Sequence, residues 1–368
     1  MNQLIFGNLV HRPLRSIISA FAVAIEVVMI LSIAAIMLGM LNGSRTQTTG
    51  IGMDMIAHPG AASALMNTGS ANASVKVANV LQALPHVAIA SAVNIKFTVG
   101  ASLENIYGID YASFNALRPF TFLSGGPFKG PYEVIIDDFQ AASGPRYKVG
   151  DTMKILNRDF AVAGIFAHGK GSRKFIPIDT MDEIDGNPGK ASVFYLRTQD
   201  PPTYQEEVRK EILATPGLEQ YSVQTLDEFL STLTPDRLPA FNIGLRVVIG
   251  LAIVIGFLVI FQSMYTAVME RTREIGILKS MGASRVSIVS VVLRETGFLA
   301  IVGIGIGIGA TYILSYVLHA KYPTLSFAVT GEWVRYAIAI ALIGALFGAL
   351  YPALKAARKD PIDALSYE

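Results

Sequence analysis

The sequence predicts an α-helical membrane protein with four transmembrane helices per subunit and a large extracytoplasmic α/β domain between helices one and two. Three observations carry this prediction. Charged residues are 16% of the chain and hydrophobic residues 52%, against about 25% charged in ordinary globular proteins. The charges avoid four windows almost entirely: Ser16–Leu41, Val247–Met269, Thr296–Leu318 and Tyr336–Leu354. The long stretch between the first two windows alternates helix-like and strand-like runs bounded by Gly, Pro and Asp.

Each window is long enough to cross the hydrocarbon core as a helix, which takes roughly 20 apolar residues. The first is broken only by Glu26 and follows Arg12 and Arg15. It exceeds the apolar region of a signal peptide, about 7 to 15 residues, and therefore reads as an uncleaved anchor. Positive charges then set the orientation. Arg12 and Arg15 precede the first span, Arg271, Arg273, Lys279, Arg285 and Arg294 separate the second from the third, and Lys355, Arg358 and Lys359 follow the fourth. The connection between spans three and four offers Lys321 and Arg335. This places both termini and residues 270–295 in the cytoplasm of a multi-pass protein of the cell (inner) membrane. The expected divisions are a cytoplasmic segment 1–15, helix 16–41, an extracytoplasmic domain 42–245, helix 246–269, a cytoplasmic segment 270–295, helix 296–318, an outer connection 319–335, helix 336–354 and a cytoplasmic tail 355–368.

Within the outer domain, Val75–Leu84 reads as a short helix stopped by Pro85, followed by the strand-like run Val87–Val99. Thr203–Ala214, stopped by Pro216-Gly217 and followed by Leu218–Val223, occupies a matching place. The two form a weak internal repeat, expected to pack as a split α/β layer over about 50–115 and 191–235. Between them Tyr132–Asp137, Thr152–Leu156, Phe160–Phe166 and Lys174–Ile178 read as short strands of an inserted β subdomain at about 116–190. Gly60–Ser74, rich in Gly, Ser, Ala and Asn, reads as a mobile loop.

Several functions are excluded. A net charge of +2 does not suggest nucleic acid. The chain has no cysteine, hence no disulfide framework, thiolate metal site or cysteine nucleophile. The five histidines, His11, His58, His86, His168 and His319, show no metal-ligand spacing. Asp137 and Asp138 are adjacent on a predicted strand and would point to opposite faces. Gly169-Lys170-Gly171-Ser172 lacks the frame of a phosphate-binding loop and is followed by Ile176-Pro177-Ile178, so it reads as a basic surface turn. No catalytic residue, no metal site and no nucleotide site is visible.

Two features within the spans stand out. Glu26 lies near the middle of the first, where an ionisable group costs roughly 2.5 to 3.5 kcal/mol and is therefore protonated, paired or turned to a protein interface. Met29 and Met37 fall near its helical face, a stripe that packing explains and that would also admit an amphiphile or a haem-like ligand. Gly303, Gly305, Gly307 and Gly309 in span three, and Gly344 and Gly348 in span four, allow close helix approach in lipid.

The segment Met269–Arg285 is too ordered in its charges for a plain connector. Glu270, Arg271, Arg273 and Glu274 continue span two as a helix, and Gly276 and Gly282 bracket Ile277-Leu278-Lys279-Ser280-Met281. A solvated loop would not need Ile275, Ile277, Leu278 and Met281 exposed; a piece that plugs into a partner's groove would. Met269–Gly276 followed by Lys279-Ser280-Met281-Gly282-Ala283-Ser284 resembles the signature of permeases of the MacB/FtsX type, the type VII or mechanotransmission ABC transporters. So does the tail Tyr351–Leu365, and Tyr147–Thr152 with Phe160–Ile165 is similar to a motif of that family's outer domain.

The resemblance implies a non-catalytic subunit that acts as a homodimer in the lipid membrane, with ATP and Mg bound by a separate cytoplasmic ABC ATPase. Glu270, Arg271, Arg273, Glu274, Ile275, Gly276, Lys279, Met281, Gly282 and Ala283 would form the coupling segment that docks on it. ATP-driven closure would move the outer domains and expel an amphiphilic or hydrophobic cargo: a drug, peptide, lipid, lipoprotein or haem. A periplasmic adaptor or other extracytoplasmic effector fits such a system. An alternative is an FtsX-like mechanotransmitter that transports nothing and switches a cell-wall hydrolase or sensor. Glu26 departs from the small residue found there in many members.

Overall fold

The computed structural model describes residues 13–60, 73–99, 103–143, 145–234, 239–270 and 272–358. In chain order these form α1 (Pro13–Gly50), β1 (Met55–Pro59), β2 (Ala73–Ser74), α2 (Val77–Gln82), β3 (Val87–Val99), β4 (Leu103–Ile109), α3 (Tyr111–Leu117), β5 (Phe122–Gly125), β6 (Glu133–Asp137), α4 (Asp138–Ala142) and β7 (Thr152–Ile155). They continue as β8 (Arg158–Phe166), β9 (Lys174–Pro177), α5 (Ile178–Asp185), β10 (Lys190–Ala191), β11 (Val193–Thr198), α6 (Gln205–Ala214), β12 (Tyr221–Thr225) and α7 (Leu226–Thr232). Last come α8 (Pro239–Glu270), α9 (Thr272–Ser280), α10 (Arg285–Lys321) and α11 (Gly331–Arg358). The described residues fall into two compact units. A helical unit runs to Gly39 and takes in Pro239–Ala320 and the chain from Phe327, while an α/β unit comprises Met40–Leu238 with Lys321–Ser326.

In the helical unit, α1, α8, α10 and α11 are the four helices, among the described residues, long and apolar enough to cross a membrane. Small side chains bring them together. A Cβ on Gly303 would stand 2.4 Å from the Ala20 carbonyl oxygen, and one on Gly307 2.8 Å from that of Ala24, so α10 lies directly on α1. One on Gly348 would stand 3.0 Å from the Phe257 carbonyl oxygen of α8. Gly305 and Gly309 face open space. Along α11, Ala337, Ala341, Ala345, Ala349 and Ala353 recur every fourth residue and are fully buried. Lipid tails are as apolar as leucine, so close packing of such small-residue faces does the work that burial from water does elsewhere.

The α/β unit is built on one sheet, in the order β12-β1-β11-β3-β4-β9-β6-β8-β5, with β7 paired to β8. Its first part consists of two interleaved strand–helix–strand units, β1–α2–β3 and β11–α6–β12, the split arrangement expected of the internal repeat. Leu81 of α2 and Val208 and Ile212 of α6 pack on one face with Met55, Ala57, Phe194 and Val223. On the other face Ile56, Val93, Tyr107, Phe114 and Phe175 make a second core. Because both faces are covered, β1 is buried from Met55 to His58 and shows no polar alternation.

The inserted β subdomain continues this sheet. Parallel pairing of β4 with β9, Ile106 opposite Lys174 through Ile109 opposite Pro177, joins the two parts. Ile136, Met153, Phe160 and Val162 give the insert its own core. Of the expected loop Gly60–Ser74, residues 61–72 lie outside those described, while Ala73–Ser74 is a strand paired with Lys190–Ala191.

Candidate functional site

The helix α9 stands between two membrane-length helices and is fixed at both ends by backbone chemistry. At its start Thr272 is buried, and its Oγ1 donates to the Met269 carbonyl at 2.8 Å. At its end Gly282 takes a left-handed φ of 97°. The Gly282 N–H then reaches the Lys279 carbonyl and the Ala283 N–H the Leu278 carbonyl, both at 3.0 Å. That pair of bonds is a Schellman stop, for which glycine is the favoured residue. Ser284 starts the next helix by accepting the Ser287 N–H on Oγ at 3.2 Å.

Positions 272, 275, 276 and 279 share one side of α9. Ile275 packs with Val268, Ile288, Ala356 and Ala357, Gly276 is buried, and Lys279 Nζ donates to the Ala357 carbonyl at 3.1 Å. The exposure expected of Ile275 is therefore corrected: it faces inward, and Lys279 ties α9 to the end of α11. The opposite side presents Ile277 (44% exposed), Leu278 (38%) and Met281 (71%). Glu270 and Gly282 are exposed and Ala283 half-buried. Arg271, and the side chains of Arg273 and Glu274, lie outside the described residues.

In the helical unit Glu26 is 3% exposed. Its carboxyl fills a notch left by Gly256, where a Cβ would come within 2.0 Å of Oε2. Gly344 flanks it, with a Cβ position 3.8 Å from Oε1. Neither carboxyl oxygen has a hydrogen-bond partner among the described residues. Met29 and Met37 are half-buried. About two turns toward the N-terminus of α1, Ser19 and Ser263 join their hydroxyls across the same α1–α8 contact.

Two expectations in the α/β unit are corrected. The Gly169–Ser172 run is no surface turn: Lys170 is 6% exposed and Ser172 is buried. Nor do Asp137 and Asp138 form a plain strand pair. Asp137 caps α4 by accepting the Gln140 N–H at 2.6 Å, and Asp138 holds His168 Nδ1 at 3.0 Å. Among the described residues no group of three or more His, Asp or Glu could hold a metal ion.

Residues 16–215 match the profile of the MacB-like periplasmic core domain, and residues 246–361 that of the FtsX-like permease C-terminal region. The chain belongs to the MacB/FtsX-type ABC permeases. An ABC transporter permease of Methanocaldococcus jannaschii, MJ1507, is 27% identical over 203 residues, covering 53% of this chain and 51% of that protein. The macrolide export ATP-binding/permease protein MacB of Chromobacterium violaceum is 32% identical over 178 residues, 48% of this chain and 28% of that one. This chain thus matches about half, or less, of the length of these relatives. The periplasmic region of MacB from Actinobacillus actinomycetemcomitans superimposes with a TM-score of 0.39 at 14% identity, over 50% of this chain and 94% of that one.

In this permease the FtsX-like region runs from residue 246, within α8, through α11, and so contains α9 whole. Sequence reasoning singled out this segment without its facing, and it passed over Thr272 and the alanine stripe of α11. The four-residue spacing of those alanines was the available signal. For Thr272 there was none, because a threonine among charges reads as exposed.

Proposed function

We propose that the chain is the permease subunit of an ATP-driven export or extraction complex, a homodimer that works with a separate cytoplasmic ABC ATPase. The observation that carries this reading is the exposed apolar side of α9. A helix of this length has little stability alone, yet α9 is bonded and packed along one side to α8, α10 and α11. Its other side shows Ile277, Leu278 and Met281 beside exposed Glu270. A short rigid helix, fixed to membrane helices on one face and apolar on the other, can pass a push from a docked partner straight into the bundle. The positive charges at 271–294 and 355–359 support a cytoplasmic position for it, where a partner would bind ATP and Mg. The names of MacB relatives support an amphiphilic or hydrophobic cargo. Glu26, buried at the α1–α8 contact and without a hydrogen-bond partner among the described residues, is the group that meets water or cargo when those helices part.

Replacing Ile277, Leu278 and Met281 together by serine tests the docking face. Membrane insertion and unfolding temperature should stay at wild-type values, because these side chains are exposed. Co-purification of the ATPase should be lost and its stimulation should fall by about tenfold or more, since buried apolar anchors dominate interface energy at 2 kcal/mol or more each. A variant that still retains and stimulates the ATPase would refute the assignment.

A further inference from the structure

Lys321–Ser326, the last residue of α10 and the first part of its connection to α11, belongs to the α/β unit, and Arg173 holds it there. Arg173 leaves the turn between β8 and β9, and its Nη2 donates to the Thr324 carbonyl oxygen at 2.9 Å. Its Nη1 lies 3.7 Å from Asp137 Oδ2. The Asp137 N–H donates to the Arg173 carbonyl at 3.0 Å, so the two residues are tied through backbone as well as charge. The carboxylate is itself immobilised as the cap of α4. The guanidinium carbon sits 5.4 Å from the Phe139 ring centroid, and that ring stacks on His168 at 3.9 Å. His168 is in turn held by Asp138. The connection is compact where it is gripped: the Leu325 N–H returns to the Tyr322 carbonyl at 2.9 Å.

A guanidinium suits this task because its planar fork can hold a carbonyl by one nitrogen while the other faces a carboxylate as an ion pair. Lysine offers a point charge and cannot fix the same geometry. We propose that Arg173 is the positioning residue through which the β insert grips the α10–α11 connection, so that movement of the α/β unit is delivered to those two membrane helices. The inference rests on the permease reading and adds to it a second point of mechanical linkage, distinct from the covalent joints at α1 and α8. Asp137 anchors the grip on the insert side, and the receiving group is backbone, so its sequence is free to vary.

The test uses the full chain in lipid nanodiscs with the ATPase that co-purifies from its own membranes. Arg173→Gln should raise amide hydrogen exchange over Tyr322–Ser326 by about tenfold or more, as expected when a charge-assisted bond is lost. It should leave ATPase binding and the unfolding temperature unchanged, and lower transport-coupled ATPase stimulation several-fold. Arg173→Lys should fall between wild type and Arg173→Gln in both readouts. Unchanged exchange would overturn the grip. Raised exchange with wild-type stimulation would overturn the transmission role and leave a merely structural bond. Failure of the permease reading would look different, because the wild-type chain itself would then retain and stimulate no ATPase.

Discussion

Lys170 has its side-chain nitrogen in a place that gives it almost no water and, among the described residues, no acid partner. Its Nζ donates to the Arg118 carbonyl oxygen and lies 4.0 Å from the Phe120 ring centroid and 5.4 Å from that of Phe114. The backbone around it closes the pocket: Gly171 N–H donates to the Gln47 carbonyl of α1 at 2.7 Å. Burial, and then the like charge of Arg118, push its pKa down from 10.5 to about 7. A cation–π contact and one carbonyl do not replace a hydration shell. The sign of the consequence follows from linkage. A depressed folded pKa means a contribution that is present above the unfolded value and lost as pH falls through about 7. The wild-type α/β unit should therefore gain stability relative to Lys170→Met as pH rises from 7 toward 10, and the variant should be the more stable of the two at pH 6. Unfolding temperatures of both proteins across that range, in the same detergent, decide it. Parallel profiles would mean that Lys170 keeps its proton in the folded protein.

The glycines of α10 show how a helix face becomes a contact. Gly303 and Gly307 are four apart and meet the α1 backbone, whereas Gly305 and Gly309, between and beyond them, meet nothing within 4 Å. Gly303→Ala would place its Cβ 2.4 Å from a carbonyl oxygen and 2.7 Å from Val23 Cβ, neither of which can swing aside. The helices must part, at a cost of about 1–3 kcal/mol. Gly305→Ala meets open space and removes a flexible residue from a helix interior, which should be neutral or stabilising by up to about 1 kcal/mol. Thermal unfolding in detergent should therefore separate the two variants in opposite directions, and equal destabilisation would show that backbone rigidity, not contact, is what matters along α10. In the sequence these four glycines look alike, because spacing gives the faces of a helix but not which face has a neighbour. The same limit hid the inward turn of Ile275, whose phase is set by Thr272 and Gly282. Long uniform runs were legible: the four spans, and β3, whose extent Val87–Val99 is that of its β-rich run. By contrast β1 and β11 were missed, since strands covered on both faces lose the alternation that marks a strand in a short stretch. The burial of Lys170 was out of reach for another reason. It depends on Phe114 and Phe120, about fifty residues earlier, which the fold alone brings to it.

For the molecule as a whole, the proposed mechanism depends on which side of the membrane each unit occupies. If α9 faces the cytoplasm and the α/β unit faces out, ATP-driven motion enters at α9 and leaves through α1, α8 and the α10–α11 connection. If the orientation were reversed, the exposed apolar side of α9 would have no ATPase to meet. Charge supports the first arrangement, since the segments 271–294 and 355–359 are rich in Lys and Arg and the 319–335 connection is not. The chain offers a direct test, because it has no cysteine of its own and a single introduced thiol reports one position. Met281→Cys sits on the exposed side of α9, and Val149→Cys on the surface of the β insert. A membrane-impermeant maleimide added to intact cells, with any outer membrane first removed, should label the protein carrying Cys at 149 and spare the one carrying it at 281. Permeabilising the inner membrane should then expose position 281 to the same reagent. Labelling of position 281 in intact cells would invert the topology and remove α9 as the ATPase dock. Protection of position 281 that persists after permeabilisation, and is lifted by the Ile277→Ser, Leu278→Ser pair, would instead place a bound partner on that face.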